Sequence, residues 1–364
     1  MLAWMFHHHR ANKLSAITLA LIVTLALAAC KSAQSFGDRD SIIVRADPAL
    51  WLEVDSAVIS ALERPVYTSR QETEFKVTFL ADTDTLWSNL RLWKEVVVLA
   101  DAEDPVARRI IKASGRPAPD PPAIVQAGEV WARGQLVTLV LLPERRKAQA
   151  VRSQLPMLSA LLREQYDTWI IERMYASGPN DSLKDVLSAY GFTLDLPRVY
   201  VHGREDSTFR FRNVHPNPAT RIRAILVTWE RERDRERVDP QDLLAWRRAG
   251  GETLYNPPQD ILDEGIRFDT LEVGGLTALE LRGVWQDRAS FPAAGPFIAR
   301  SITCADQGRI YFIDAWLYYP GDDKYPYLRQ LEIILDTFRC SEEEPLKLSR
   351  VAARAAAAAG PAGR

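Results

Sequence analysis

The chain has 364 residues, with 46 Lys and Arg against 48 Asp and Glu and a formal net charge of -2. At 47% hydrophobic and 26% charged it has the composition of a globular protein long enough for two cores, and the near-neutral balance excludes a nucleic-acid binder held by bulk positive charge. Of five histidines, His7, His8 and His9 lie at the start, and the remaining His202 and His215 are too few and too far apart for a histidine metal site or triad.

Residues 1–14 carry Arg10 and Lys13 and no acid, and lead into an apolar run from Ala16 to Leu27. A basic flank, a short apolar stretch and small residues at its end are the layout of a secretory signal. The stretch of about 15 residues falls short of the roughly 20 that a helix needs to cross a bilayer. It ends in Leu27-Ala28-Ala29-Cys30, which resembles the bacterial lipobox. Residues 1–29 are therefore expected to be a lipoprotein signal peptide and Cys30 the lipidated residue, anchored to the membrane through acyl chains whose buried methylenes contribute about 0.8 kcal/mol each. Lys31 after the cysteine implies, by resemblance to enterobacterial-type sorting, delivery to the outer membrane. Loss of Arg10 and Lys13 takes the net charge from -2 to -4.

Residues 30–40 read as a tether, and an N-terminal α+β unit is expected over 41–178. Ser41 to Arg45 is a predicted strand, and Asp47-Pro48 caps a helix whose Leu50, Val54, Val58 and Leu62 share one face. Phe75 to Leu80 and Glu95 to Leu99 read as strands, with a short helix from Asp82 to Trp93 between them. Pro105, Pro117, Pro119, Pro121 and Pro122 mark a loop. Ile124 to Leu142 reads as a hairpin with Gly134 near its turn, and Glu144 to Ala176 as a long helix kinked or restarted at Pro156.

A C-terminal α+β unit is expected over 179–341. Asn180-Asp181 caps a helix that stops at Gly191. Strands follow near 193–201, 208–213, 221–229, 276–285, 296–303 and 309–319, and a helix starts at Tyr325. The fold class expected is thus α+β, mostly antiparallel sheets with packed helices in two sheet-helix units, followed by a disordered tail over 342–364.

Lipidation of Cys30 leaves Cys304 and Cys340 as an even pair, and the natural expectation in an oxidising compartment is a disulfide. A ten-residue strand of about 33 Å followed by a returning helix of about 21 Å brings Cys340 toward Cys304 with a gap for the loop to close. Two buried free thiols are the alternative.

Arg210 and Arg212 face Arg221 and Arg223 across a hairpin at Asn213 to Thr220, either as a basic patch for an anionic group or as a solvated face paired with acids. Glu230 to Arg237 alternates in sign and neutralises itself. No serine sits in a nucleophile elbow and no phosphate-cradling glycine motif occurs. Tyr311, Phe312, Trp316, Tyr318, Tyr319, Tyr325 and Tyr327 cluster near the end; on a strand about half face the core and the rest are free to line a groove.

Glu280-Leu281-Arg282-Gly283-Val284-Trp285, Ala294-Gly295-Pro296-Phe297, and Trp316-Leu317-Tyr318-Tyr319-Pro320 leading to Leu328-Arg329-Gln330-Leu331-Glu332 resemble the C-terminal signature of a family of predicted lipoproteins of Bacteroidota type, domain of unknown function 4837. The resemblance implies localisation and carries no activity. Within the signature, Arg282 has two readings. It pairs internally with Glu280 or Glu332, or it floors a ligand-binding cleft built by Trp285, Phe297 and the aromatic strand. The sequence thus points to an envelope lipoprotein with no cofactor, metal or catalytic residue assigned, one that binds a partner protein or an envelope ligand. A hydrolase of envelope polymers, or a carrier of lipid or another small ligand, is the alternative.

Overall fold

The computed structural model describes residues 33–213, 221–231, 238–287 and 293–341. The signal peptide, Cys30, His215 and the tail from 342 lie outside the described residues, as do most of the Asn213 to Thr220 hairpin and the alternating charges from 232 to 237. The chain divides into two compact units, 33–62 with Phe75–Ser159, and Glu63–Glu74 with 160–341. The class is α+β with mostly antiparallel sheets and packed helices, as the strand and helix patterns indicate.

The first unit opens with β1 (Ser41–Ala46) and the helix Pro48–Leu62, where Asp47 Oδ1 accepts from Leu50 N at 2.9 Å. The hairpin of β2 (Pro65–Tyr67) and β3 (Gln71–Thr73) belongs to the second unit. The chain then returns through β4 (Lys76–Ala81), β5 (Glu95–Asp101), β6 (Ala123–Gly128) and β7 (Leu136–Leu142). These make a sheet of order β4-β1-β5-β7-β6, parallel across its first three pairings and antiparallel only in the β6/β7 hairpin. Val96, Val97 and Val98 are all fully buried, which fits a parallel sheet covered on both faces.

Two expectations for this unit need correction. The proline-marked loop holds a helix, Pro105–Ser114, because Pro105 stands at its first turn and Asp104 Oδ1 accepts from Val106 N (2.6 Å) and Ala107 N (3.1 Å). The helix expected from Asp82 to Trp93 shrinks to Trp87–Leu90. The long helix runs unbroken as Lys147–Met174 with Pro156 inside it.

Glu95 is buried between Ile42 and Leu136 on the neighbouring strands, and its Oε1 has no hydrogen-bond partner among the described residues. Burial pushes its carboxyl well above the usual range. A raised folded pKa means that its contribution to stability is complete below the unfolded value of about 4.3 and is lost as pH rises toward the folded one. Glu95→Gln should therefore raise the urea midpoint at pH 8 and leave it nearly unchanged at pH 4. Parallel unfolding curves of the two proteins at both pH values test this.

The second unit contains the helix Asp181–Ser188, then β8 (Phe192–Thr193), β9 (Val201–Glu205), β10 (Thr208–Asn213) and β11 (Ile222–Arg231). After the helix Pro240–Thr253 come β12 (Gln259–Ile261), β13 (Arg267–Val273), β14 (Leu276–Asp287), β15 (Ala294–Cys304), β16 (Arg309–Tyr318), the helix Tyr325–Leu335 and β17 (Arg339–Cys340). The single strand expected near 193–201 is thus two short ones, and the helix at 240 with β12 and β13 was not foreseen. The antiparallel sheet has the order β12-β14-β15-β16-β11-β10-β9, with β13 also on β14.

Strand alternation sorts this sheet into two faces. Ile225, Val227, Ile298, Ile302, Tyr311 and Ile313 pack with Leu328, Leu331, Ile334 and Leu335 of the last helix. Leu281, Trp285, Phe297, Ala299, Ile310 and Phe312 pack with Leu243 and Leu244 of the helix Pro240–Thr253. Asp239 caps that helix, accepting from Asp242 N at 2.8 Å, while Asp242 returns a carboxylate to Asp239 N.

Candidate functional site

The expected cleft of Arg282, Trp285 and Phe297 is split between the two faces, because positions three apart on a strand point to opposite sides. Trp285 is 4% exposed on the face of the helix Pro240–Thr253, and its indole N–H donates to the Leu317 carbonyl at 3.2 Å. Arg282 lies on the other face, beside the last helix. Phe297 shares Trp285's face but its ring edge reaches Gly283, where a Cβ would come within 2.8 Å of it. The missing side chain at 283 lets Phe297 touch the space that Arg282 lines.

That space is a cavity of about 500 Å³ within the second unit, lined by Tyr67, Glu74, Arg163, Asp167, Arg267, Asp269, Glu280, Arg282, Arg329 and Glu332 among others. Its floor is an alternating ionic chain. Arg300 Nη1 bonds Asp336 at 2.8 Å and its Nε bonds Glu280 at 2.7 Å. Glu280 also accepts from Arg282 Nε at 2.5 Å, and Arg282 Nη1 donates to Glu332. Glu332 accepts from Arg329 Nη1 at 2.7 Å, and Arg329 grips Asp167 through two bonds of 2.9 and 2.7 Å. Arg282 thus pairs with Glu280 and Glu332, as the first reading has it, and faces a cavity with its side chain 38% exposed, but that cavity is not the one expected from Trp285 and the aromatic strand, which lie on the other face.

Charges buried in this way are tolerable only when paired. Burial pushes the Glu332 carboxyl up, but Arg282 and Arg329 outweigh it and hold the group below its ordinary value. Burial lowers the Arg282 and Arg329 guanidinium pKa values, and the same carboxylates more than reverse this. Glu74 differs: burial raises its carboxyl, with Arg163 opposing at 3.3 Å.

At the mouth of the cavity the register places Arg267 opposite Arg282 and Asp269 opposite Glu280 across β13 and β14. Like charges directly opposite are unfavourable. Among the described residues Arg267 makes no ion pair and Arg282 Nη2 donates to no acceptor. The arrangement offers two guanidinium groups and one exposed carboxylate to a ligand, above a floor already fixed in position.

On the opposite face, Trp285, Trp316, Tyr318, Tyr255 and Pro257 line a smaller cavity of about 190 Å³. The Trp285 and Trp316 rings meet edge to face at 5.3 Å, and Tyr255 meets Trp316 at 5.9 Å. A Cβ at Gly295 would fall on the Leu317 carbonyl, so glycine there allows the strands to close beneath Trp285. Beneath lies a fully buried ion pair, Arg247 Nε to Asp314 Oδ2 at 2.8 Å, with Arg247 Nη2 on Gln259 at 2.7 Å and the Tyr255 hydroxyl on Asp314. The aromatic strand therefore divides as alternation requires, with Tyr311 in the core and Trp316 and Tyr318 at a cavity.

The basic patch expected from Arg210, Arg212, Arg221 and Arg223 does not form as one surface. Arg223 bonds Gln330 at 2.6 Å on the face of the last helix, and Arg221 lies over Tyr327 and Tyr319 at 4.2 and 4.7 Å. Arg210 pairs with Glu205 at 3.2 Å, and it and Arg212 line the other face. His202 is exposed on β9. Cys304 and Cys340 form a disulfide with Cα atoms 6.0 Å apart, as expected. Among the described residues no group of three or more His, Cys, Asp or Glu is placed to hold a metal ion, and no helix is long and apolar enough to cross a membrane.

Among solved structures, the Saccharomyces cerevisiae Ran-binding protein Mog1p is 11% identical over 42% of this chain and 91% of its own, with a TM-score of 0.28. A PsbP protein of the cyanobacterium Synechocystis sp. PCC 6803 is 11% identical over 41% of this chain and 86% of its own, also at 0.28. No curated protein sequence matches. Residues 180–337, which hold β8 to β16 and the last helix, match the family model described as Domain of unknown function (DUF4837), so the similarity marked by Glu280 to Trp285 and Trp316 to Pro320 extends across the sheet of the second unit.

Proposed function

We propose that this is a lipid-anchored protein of the bacterial cell envelope, tethered through Cys30 at the outer membrane, and that its second unit is a binding module rather than an enzyme. Its ionic cavity is read as the site for a small envelope ligand carrying both a carboxylate and an ammonium group. The observation that carries this reading is Arg267 standing opposite Arg282 at the cavity mouth with donors unspent, beside the exposed Asp269. Charge-assisted bonds to a carboxylate are strong and bidentate, and the buried network beneath holds Arg282 in place.

A second reading, hydrolysis, has one observation in its favour: Glu74 is raised and Glu332 lowered in the same cavity, the split that separates an acid from a base. Both Glu332 oxygens are held by guanidinium groups, however, which makes it a weak base and a poor nucleophile. Binding is therefore the better account.

The test is a calorimetric titration of the full chain with a zwitterionic dipeptide, Ala-Ala, alongside its N-acetylated and C-amidated forms. Saturable binding of the zwitterion is expected, weakened about tenfold by blocking either end and by Arg267→Met. Equal binding of all three peptides, or none, contradicts the reading. The anchor is tested separately by growing cells on clickable palmitate: Cys30→Ala should abolish labelling, and undiminished labelling would rule the anchor out.

A further inference from the structure

Residues 33–40, expected from the sequence as part of a tether, are built into the first unit. Ser35 N donates to Arg133 O at 3.0 Å, and Arg133 N donates to Ala33 O at 2.8 Å. Phe36 N donates to Leu92 O at 3.2 Å, and Lys94 N to Phe36 O at 2.9 Å. The Trp93 indole N–H donates to Ser41 O at 3.0 Å, and Lys94 Nζ to Gly37 O at 2.5 Å. Gly37 has a φ of 91°, and a Cβ there would meet the Trp93 ring at 2.1 Å, so glycine is what lets the chain pass over the indole. A segment held so closely belongs to the body, and only Lys31 and Ser32 separate it from Cys30.

Chain length then decides how far this part of the body can stand from a bilayer that holds Cys30. The three residue steps from Cys30 to Ala33 span at most about 11 Å. Acyl chains buried in the hydrocarbon keep Cys30 at its border, and the headgroup layer beyond is roughly 5–8 Å thick. Ala33 is therefore among the headgroups or just above them. The sheet fixes what lies beside it: β1, β5 and β7 are parallel and begin at the same end, with Ile42 beside Glu95 and Glu95 beside Leu136. That end presents Phe36, 42% exposed and edge to face with Trp93 at 5.1 Å, and the exposed turn residues Arg133 and Gly134. Amphipathic aromatic groups are the side chains that settle at headgroup level. Charge is not what holds this surface, since in 33–40, 91–94 and 129–135 the residues Arg39, Arg91, Lys94 and Arg133 stand against Asp38, Asp40 and Glu129.

We infer that the end of the first unit where β1, β5 and β7 begin is a membrane-facing surface, held by the short link to the lipid with Phe36 and Arg133 against the headgroups. The inference rests on the anchoring of Cys30 proposed above and goes beyond it by naming the face that the anchor turns to the bilayer.

Photo-crosslinking tests this on the full chain, purified from cell membranes and reconstituted in phosphatidylcholine vesicles, a neutral bilayer because the charges nearly balance. The photoreactive residue p-benzoylphenylalanine replaces Phe36, Arg133 or Arg145 in turn. Arg145 is exposed just past the far end of β7, whose seven residues span about 23 Å. Lipid adducts are expected at 36 and 133 and none at 145. A spacer of about twelve Gly and Ser residues inserted between Ser32 and Ala33 adds roughly 20 Å of root-mean-square reach without touching the folded body, and should lower both adducts to the level at 145. The mass of the peptide containing Cys30 reads the anchor separately. A bare Cys30 defeats the anchor and this inference together, whereas an acylated Cys30 with no adduct at 36 and 133 defeats this inference alone. With Cys30 acylated, an equal adduct at 145, or selectivity that survives the spacer, would also overturn it.

Discussion

Arg247→Met is expected to lower the stability of the chain by about 3–5 kcal/mol at neutral pH, the cost of removing one partner from a buried ion pair. Arg247 and Asp314 are at most 1% exposed, and the guanidinium lies between the Phe297 ring at 4.6 Å and the Tyr255 ring at 5.1 Å. Among the described residues, Asp314 without Arg247 keeps only the Tyr255 hydroxyl, and its other oxygen, Oδ1, has no partner even in the intact protein. Burial already pushes the Asp314 carboxyl up against the opposing pull of Arg247 and Tyr255, and loss of the cation raises it further. A raised folded pKa makes the stability contribution complete below the unfolded value of about 3.9 and erodes it as pH climbs. The deficit of Arg247→Met should therefore be small near pH 4 and full at pH 8. The double variant Arg247→Met with Asp314→Leu should recover most of the loss, because an apolar pair needs no compensating charge. Urea unfolding at the two pH values measures all of this; equal deficits at pH 4 and pH 8 would show that packing around the methionine, and not the stranded carboxylate, sets the cost.

The same residue explains why part of the fold was not legible. In the helix Pro240–Thr253 the buried positions are Leu243, Leu244, Arg247, Gly250 and Gly251, which is correct helical spacing with a charge and two glycines where an apolar stripe needs large side chains. The strong signal there was local instead: Asp239, Pro240 and Asp242 form a capping box with proline in the first turn. Pro105 misled in the same way, since a proline after an aspartate starts a helix as readily as it breaks one. By contrast β14, β15 and β16 were plain, because long alternating runs of apolar and aromatic residues leave few alternatives. Arg282 and its acidic partners Glu280 and Glu332 could be named from the sequence, but grouping Arg282 with Trp285 could not survive strand alternation. Arg267 and Asp269 carried no sequence signal, because their meaning lies in which residues of β14 they face.

Replacing both Cys304 and Cys340 by alanine is expected to cost about 4 kcal/mol, the chain-entropy value for a bridge closing a loop of this length, here a separation of 36 residues. For a folding unit of 150–250 residues that corresponds to a fall of roughly 8–16 °C in Tm. The pairing is reachable because the returning path matches the outgoing one. The ten residues of β16 span about 33 Å. The eleven-residue helix Tyr325–Leu335 returns about 16 Å, and residues 336–340 supply up to about 16 Å more before Cys340. The bridge also holds a seam. β17 pairs with β8, Ser341 N donates to Gly191 O at 2.9 Å, and Gln307 Nε2 donates to the carbonyls of both Gly191 and Ser341. Without the bridge, β17 should fray from this seam first, so the Ser341 amide is expected to lose hydrogen-exchange protection at temperatures where the β15 and β16 amides keep theirs. Wild-type protein treated with reductant should behave as the double alanine variant does. If reductant leaves Tm and exchange unchanged while the double variant unfolds early, the two cysteines contribute by packing as thiols, and the bridge contributes nothing to stability.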